Sequence, residues 1–179
     1  MSKYITIIAV VLLSALCVVV CSNQSVSASE QLFRMHIRAN SNLEADQNVK
    51  MEIKEEFVNF LTPLVEKCES KLDVMRMVQN NKEKLESIAD GILEKRGFEY
   101  RSNVKVCNEF FPERYYGDFQ VKQGYYDALI CELGEAKGNN WWCVVYPPLC
   151  FVNYNQTNSV VYKSKLWEII NKFFGREIQ

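Results

Sequence analysis

The sequence is poor in histidine and has no excess of charge of either sign, and both shortages narrow its possible functions. Among 179 residues there is one histidine, His36, which argues against a histidine-rich metal site. The 21 Lys and Arg residues nearly balance the 22 Asp and Glu residues, for a formal net charge of −1. Binding to nucleic acid or to an anionic membrane surface requires a basic patch or segment, and the sequence has neither. We therefore predict no nucleic-acid partner, no metal and no cofactor.

Several motifs of catalysis are also missing. No Cys-x-x-Cys pair occurs, and no Cys and His spacing fits zinc. The segment Gly134–Asn140, GEAKGNN, lacks the Lys-Ser/Thr ending of a phosphate-binding loop. A Ser-His-Asp or Cys-His arrangement would depend on His36, whose place in a short predicted strand is more typical of a hydrogen-bonded structural residue.

Acidic residues offer the remaining route to hydrolysis. Those of the first predicted helix face solvent, whereas Glu109, Glu113 and Asp118 fall near one another around an aromatic loop. A glycosidase uses two carboxylates, but nothing in this spacing selects a pair. We therefore predict no catalytic residue and no enzyme activity. The alternatives are a secreted cell-wall hydrolase that uses Glu113 or Asp118 as acid or base, and a wall-binding module without catalysis.

Residues 1–28 differ in kind from the rest of the chain. They carry one charge, Lys3, followed by an unbroken apolar or small run, Ile5–Cys21, and by small polar residues that end at Ala28. This order is typical of a signal peptide. We predict a signal peptide over residues 1–28 and a single folded domain over residues 30–179. The alternative is an uncleaved anchor, against which the length of the run counts, because seventeen positions are at the lower limit for spanning a bilayer.

The first part of the domain reads as a strand followed by helices. Leu32–Ile37 predicts a strand, and Ser41 with Glu44 has the spacing of a capping box at a helix start. One face of that helix is apolar, and Pro63 marks its end or a kink. A second helical region from about Ser70 to Arg96 contains a break at Asn80-Asn81 and is followed by Gly97, a residue suited to a left-handed cap.

The apolar period then changes from helical spacing to alternation. A strand over about 98–106 precedes an aromatic loop over 110–124. Two further strands, Tyr125–Leu133 and Trp141–Tyr146, are joined by a short glycine-containing connection that predicts a hairpin. A last helix covers about 166–174. This order predicts an α+β fold with a mostly antiparallel sheet of about four strands, covered by helices on one face.

The stretch Asn139–Phe151, NNWWCVVYPPLCF, is the most unusual in the sequence. Successive side chains of a strand point to opposite faces, so Trp141 and Trp142 cannot lie in one core. One is expected under the helices and the other on the far side of the sheet. The second tryptophan is either an anchor for a partner protein or is covered by the last helix. Pro147 and Pro148 end the strand because neither donates a backbone hydrogen bond.

Two cysteines of this stretch, Cys143 and Cys150, bracket the two prolines. Fully extended, the chain from Cys143 to Cys150 spans about 23 Å, whereas a disulfide requires Cα atoms roughly 4.4–6.8 Å apart. A bond between them therefore requires the chain to reverse around the two prolines. We predict this disulfide, and two buried free thiols are the alternative.

Four segments of the chain together resemble the stage II sporulation protein R family of endospore-forming bacteria. They are FRMHIRANSN followed by DQ, FFPERYYG, GYYDAL and NNWWCVVYPPLCF, in the order of that family and within about 32–152. Two positions depart from the family pattern. Ala136 interrupts a turn that is usually richer in glycine, and Gln123 stands where a proline commonly precedes the glycine.

The resemblance implies a messenger without catalytic activity. Members of the family look like proteins made in the forespore and exported into the space between the two membranes that separate it from the mother cell. There they are required to activate a membrane-embedded aspartic protease, which cleaves the precursor of a mother-cell sigma factor. The implied partner is that protease, and the implied contact with a membrane is through the leader alone.

A contact with such a partner needs a surface, and the aromatic motifs predict where it lies. Trp141 or Trp142 would supply the anchor, and the segment that follows would hold it rigid. The aromatic loop would form the adjacent wall. The predicted partner-binding residues are Trp141, Trp142, Tyr146, Pro147, Pro148, Phe111, Pro112, Tyr115, Tyr116 and Gly117.

Overall fold

The structure is a computed structural model that describes residues 31–116 and 119–148. The predicted leader over residues 1–28 and the last predicted helix lie outside the described residues. Within them, three helices are present: α1 (Glu44–Val65), α2 (Lys71–Asn80) and α3 (Lys82–Lys95). The strands are β1 (Phe33–Arg38), β2 (Ser102–Phe111), β3 (Arg114–Tyr116), β4 (Phe119–Val121), β5 (Gly124–Leu133) and β6 (Asn140–Tyr146).

Four of the strands form one sheet in the order β2-β5-β1-β6. β1 is parallel to β5 and antiparallel to β6, and β2 is antiparallel to β5. The predicted α+β class and the four-stranded, mostly antiparallel sheet are confirmed. The predicted hairpin of β5 and β6 is wrong, because β1 lies between them and pairs with both. β1 is almost entirely buried, because it lies between two other strands.

The helices cover one face of the sheet, which we call the helix face. Alternate residues of β1, Phe33, Met35 and Ile37, are fully buried there against α1 residues such as Ile53 and Phe57. Burying such a side chain contributes roughly 1.5–3 kcal/mol. Because the cluster on this face contains more buried residues than the cluster on the opposite face, it supplies most of the hydrophobic stabilisation. The prediction of helices on one face of the sheet is confirmed.

The helix boundaries show which local signals decided the structure. Ser70 Oγ accepts a hydrogen bond from the Asp73 amide at 3.2 Å, and Gly97 adopts a φ of +79° after α3. The predicted break falls at Asn81, between α2 and α3. The predicted capping box at Ser41 is wrong, because the N-cap of α1 is Leu43. The Ser41 hydroxyl accepts from the Leu43 amide at 3.1 Å and donates to buried Asp46 at 2.5 Å.

The aromatic loop predicted between β2 and β5 contains regular structure. β2 continues to Phe111, and β3 and β4 then form an antiparallel ribbon of their own. We call the sheet face that lacks helices the ribbon face, because apolar residues of this ribbon pack on it. Tyr116 and Val121 join a second, smaller cluster there with Phe111 and Trp142.

Candidate functional site

Three polar side chains of the central strand point to the ribbon face. Arg34, His36 and Arg38 alternate along β1 with the apolar residues of the helix face. Arg34 is fully buried and His36 is 1% exposed, whereas Arg38 is half-buried. A strand that buries polar residues must supply partners for them, because an unpaired buried polar group is costly. The partners come from β2, β5, β6 and the ribbon.

Arg34 lies in an aromatic cage. Its guanidinium carbon is 4.2 Å from the centre of the Phe111 ring and 5.0 Å from that of Tyr126. Nη2 donates a hydrogen bond to the Tyr116 hydroxyl at 3.1 Å, but Nε and Nη1 have no hydrogen-bond partner. Burial lowers the pKa of Arg34. Cation–π contacts contribute up to about 2 kcal/mol when desolvated, which offsets part of the cost of burying the charge.

The ring of His36, in β1, stacks on the ring of Trp142 in the neighbouring strand β6. Its ring centre is 3.6 Å from that of Trp142, and its Nδ1 lies 3.2 Å from a Glu109 oxygen. Its Nε2 has no hydrogen-bond partner. Burial, and next the nearby Arg38 charge, lower the pKa of His36 to about 4, against the opposing effect of Glu109. His36 is therefore neutral near pH 7 and contributes packing and a hydrogen bond.

The neighbouring carboxylates are fully engaged. Arg38 pairs with both Glu109 and Glu132, and the Lys105 ammonium lies 2.9 Å from the second oxygen of Glu132. Burial acts to raise the pKa of Glu132, but Lys105 and Arg38 outweigh it and lower the pKa. Glu132 is therefore held ionised by two cations and is not poised to move a proton near neutral pH, and Glu109 forms an ion pair with Arg38.

The outer side of the ribbon is the exposed part of this region. Trp142 is half-buried, and the Arg114 guanidinium lies 5.5 Å from its ring centre. Tyr115 is 65% exposed, and its hydroxyl donates to Glu113 at 3.0 Å. Gln120 also donates to Glu113, at 2.8 Å. Large aromatic side chains beside an arginine are the composition of an interface anchor.

The two tryptophans lie on opposite faces, as predicted. Trp141 is half-buried against the helix-face core, with the Lys54 ammonium 6.0 Å from its ring centre. Trp142 belongs to the ribbon-face cluster. The two therefore cannot share one contact surface, and Trp142 is the one that lies beside the aromatic ribbon.

The remaining predicted partner-binding residues divide by exposure. Phe111 is fully buried, Tyr146 is 7% exposed and Pro147 is buried, so these three support the surface from behind and offer little area to a partner. Tyr115 is exposed, and the half-buried members are Pro112, Tyr116 and Pro148. Gly117 lies outside the described residues. Partner binding itself stays a prediction for all ten residues.

Cys143 is disulfide-bonded, whereas Cys68, Cys107 and Cys131 are free. The partner of Cys143 therefore lies outside the described residues, as does Cys150. The pairing of Cys143 with Cys150 stays a prediction.

The segment RANSN and the following DQ form a hydrogen-bond network that stabilises the fold. Asp46 is 2% exposed and accepts hydrogen bonds from Asn40, Ser41 and Tyr100 at 3.0, 2.5 and 2.6 Å. Asn40 also accepts from the Glu135 amide at 2.9 Å. These bonds fasten the β1–α1 loop to the β5–β6 connection. The motif therefore shapes the scaffold and lies apart from the ribbon face.

Sequence reasoning missed Arg34 as part of the site. The available signal was the alternation of Arg34, His36 and Arg38 within a strand whose other side chains are apolar, which places three polar groups on one face. Of the acidic alternatives, Glu109 is held by Arg38 and His36, Glu113 is bound by Tyr115 and Gln120, and Asp118 lies outside the described residues.

No cluster of three or more potential metal-ligating His, Cys, Asp or Glu side chains is present within 31–116 and 119–148. Across the same ranges, no helix has the length and apolar character needed to span a membrane.

Comparison with known proteins defines the class first: a family model described as Stage II sporulation protein R (spore_II_R) matches residues 29–156. The chain belongs to the stage II sporulation protein R family. It is similar to "Stage II sporulation protein R" of Bacillus subtilis (strain 168), with 32% identity over 138 residues, which is 77% of this chain and 62% of that protein. The match thus spans less than two thirds of the relative's length. No solved structure matches the chain.

Proposed function

We propose that this chain is an exported signalling protein of sporulation that acts by contact and makes or breaks no bonds itself. It is made in the forespore and enters the space between the two membranes. There it activates a membrane-embedded aspartic protease of the mother cell, which then processes a sigma-factor precursor. Membership of the family and the name of the Bacillus subtilis relative support the link to sporulation. The leader-like residues 1–28 support export.

The observation that carries the contact is the surface around Trp142. Its indole is half-buried and is backed by a stacked His36 and by Phe111, whose ring centre lies 4.9 Å away. An aromatic anchor held in one orientation loses little conformational entropy on binding. The Arg114 guanidinium, 5.5 Å from the indole centre, extends this surface, and exposed Tyr115 is its neighbour on the adjoining ribbon.

Activation by contact requires a difference in affinity. A ligand shifts an equilibrium between inactive and active receptor only as far as it binds the active arrangement more tightly. An anchor such as Trp142, held in one orientation by His36 and Phe111, suits this task, since it fits one receptor arrangement better than another. In this mechanism the protease supplies the catalytic aspartates, and the chain supplies binding energy alone.

The test is co-expression of the full chain with the protease and the sigma-factor precursor in a host without sporulation genes. We expect cleavage of the precursor only when the chain is present, and no cleavage after removal of residues 1–28, because export would fail. Replacing the catalytic aspartates of the protease should abolish cleavage. Cleavage without the chain, or cleavage that survives loss of those aspartates, would refute the proposal.

A further inference from the structure

Arg34 carries a fully buried positive charge that pairs with no carboxylate among the described residues. The Tyr116 hydroxyl occupies one of its three nitrogens, and the other two, Nε and Nη1, have no hydrogen-bond partner. Most buried arginines are paired, because an uncompensated buried charge costs several kcal/mol. The aromatic rings of the cage accept no ordinary hydrogen bond from these N–H groups. The arrangement therefore leaves donors that an anion would satisfy.

The charges of the ribbon face point to the same chemistry. Arg38 and Lys105 are neutralised by Glu109 and Glu132. Arg34 and Arg114 have no acidic partner within the described ranges: Arg34 donates to the Tyr116 hydroxyl and Arg114 to the Glu113 carbonyl. Two cations without counter-charges next to half-exposed Trp142 favour an acidic partner.

The cover over Arg34 is the ribbon. β3 and β4 pair with each other and not with the four-stranded sheet. The Tyr116 hydroxyl and the buried Val121 side chain connect the ribbon to the cluster around Arg34. Because a two-stranded ribbon is marginally stable by itself, it is the cover that can be displaced at least cost.

We propose that Arg34 binds one carboxylate of an acidic segment in the partner protein, and that this carboxylate takes the place of the Tyr116 hydroxyl. A carboxylate is planar and offers two acceptors, which matches the fork of guanidinium N–H donors. That the segment belongs to a partner protein rests on the proposed function. The carboxylate site itself rests on the buried, unpaired nitrogens.

The experiment follows the side-chain Nε–H signal of Arg34 by NMR in the full chain, titrated with N-acetyl-glutamate amide. The matched neutral probe is N-acetyl-glutamine amide. We expect a saturable shift of this signal with the glutamate probe at millimolar concentration, and none with the glutamine probe. In Tyr116→Phe the competing hydroxyl is gone, so the glutamate probe should bind several-fold more tightly.

The absence of a saturable shift in both the unaltered chain and Tyr116→Phe would overturn the proposal. So would equal shifts with the glutamine probe, or with inorganic phosphate at the same ionic strength, since neither reports a carboxylate site. Because Arg34→Lys has no Nε–H reporter of its own, binding in this variant and in the unaltered chain is compared by the indole N–H signal of Trp142, which should shift with the glutamate probe in the unaltered chain alone. The indole N–H signal of Trp141 on the helix face shows that the fold persists. Retention of binding in Arg34→Lys would also count against the site. The titration uses no partner, so its failure leaves the co-expression test of the proposed function independent.

Discussion

His36 is the one histidine of the chain, so its ring signals identify it in a spectrum without further assignment. Burial first, and then the charge of Arg38, lower its pKa to about 4. An unfolded chain has a histidine pKa of about 6.5. We predict that NMR titration of the full chain gives a midpoint near 4 for this ring. A midpoint at or above about 6.5 would show that the His36 ring is not buried and stacked in solution.

The same pKa difference makes stability depend on pH. Between pH about 6.5 and about 4 the unfolded chain binds a proton at this residue and the folded chain does not. The free energy of unfolding should therefore fall as the pH falls through that window, by up to about 1.4 kcal/mol per pH unit. In His36→Phe, urea unfolding at several pH values should show that this pH dependence of the free energy of unfolding has disappeared. An unchanged dependence on pH between about 4 and 6.5 in the variant would contradict the prediction.

Substitution of Asp46 tests whether its hydrogen bonds in the β1–α1 loop stabilise the fold. Burial acts to raise its pKa, but hydrogen bonds from Ser41, Tyr100 and Asn40 outweigh burial and lower the pKa. Asp46→Asn puts an amide donor among groups that already donate, so we expect a loss of about 1–3 kcal/mol in the free energy of unfolding at pH 7.

Because the lowered pKa of Asp46 stabilises the folded chain above the unfolded pKa, this loss should shrink as the pH falls below roughly 4. Chemical denaturation at several pH values measures it. Exposed Glu99→Gln is the control and should change stability little. A loss in Asp46→Asn that is equally large at pH 3 would show that its charge is not the cause.

At the scale of elements, two glycines make a matched pair. A Cβ on Gly138 would lie 2.1 Å from the backbone oxygen of Ser41, which belongs to the loop fastened by Asp46, whereas a Cβ on Gly91 in α3 has nothing within 4 Å. We predict that Gly138→Ala lowers the free energy of unfolding by about 2 kcal/mol or more, because backbone must shift.

Gly91→Ala should raise the free energy of unfolding by about 0.5–1 kcal/mol, since alanine is the better helix former. Urea unfolding of both variants gives the comparison. A neutral effect of Gly138→Ala would mean that the close approach of the β1–α1 loop and the β5–β6 connection is absent in solution.

The elements that sequence predicted well are those decided by neighbours in the chain. The start of α2 at Ser70, the break at Asn81 and the left-handed Gly97 depend on side chains and φ angles within a few residues. The hairpin prediction failed because strand pairing depends on residues that are far apart in the sequence. β5 and β6 have a short connection, but the buried β1 from the start of the domain pairs with both.

The capping box failed for a related reason. Ser41 and Glu44 have the correct spacing, but Asp46 sits where three donors converge, and the Ser41 hydroxyl is one of them. The bond to this charged acceptor fixes the Ser41 hydroxyl two residues before the N-cap Leu43, where it accepts from the Leu43 amide and not from an amide of the first helical turn. Local spacing alone therefore could not reveal which partner the hydroxyl takes.

At the scale of the whole molecule, a four-stranded sheet separates two unlike faces. The helix face holds the main core, and the ribbon face holds a smaller aromatic cluster with buried Arg34. Alternation along a strand predicted that Trp141 and Trp142 would divide between these faces. It could not predict that residues from β1, β2, β5 and the ribbon would enclose a charge, because such a cage depends on tertiary packing.

This division into faces gives matched variants for the proposed contact. Tyr115 on the ribbon is 65% exposed, and Tyr125 at the start of β5 is 69% exposed. Tyr125 instead packs against Phe110, with ring centres 5.6 Å apart. Loss of either side chain should leave the fold intact, since both are largely solvated.

The most direct test of the contact is the dissociation constant of the purified full chain for the purified membrane-embedded protease. We predict that Tyr115→Ala and Trp142→Phe each weaken binding about tenfold or more, consistent with loss of roughly 1.4 kcal/mol or more at an interface anchor. Tyr125→Ala should bind as the unaltered chain does. Unchanged affinity in both ribbon-face variants, with their fold verified by the indole N–H signal of Trp141 on the helix face, would contradict the account.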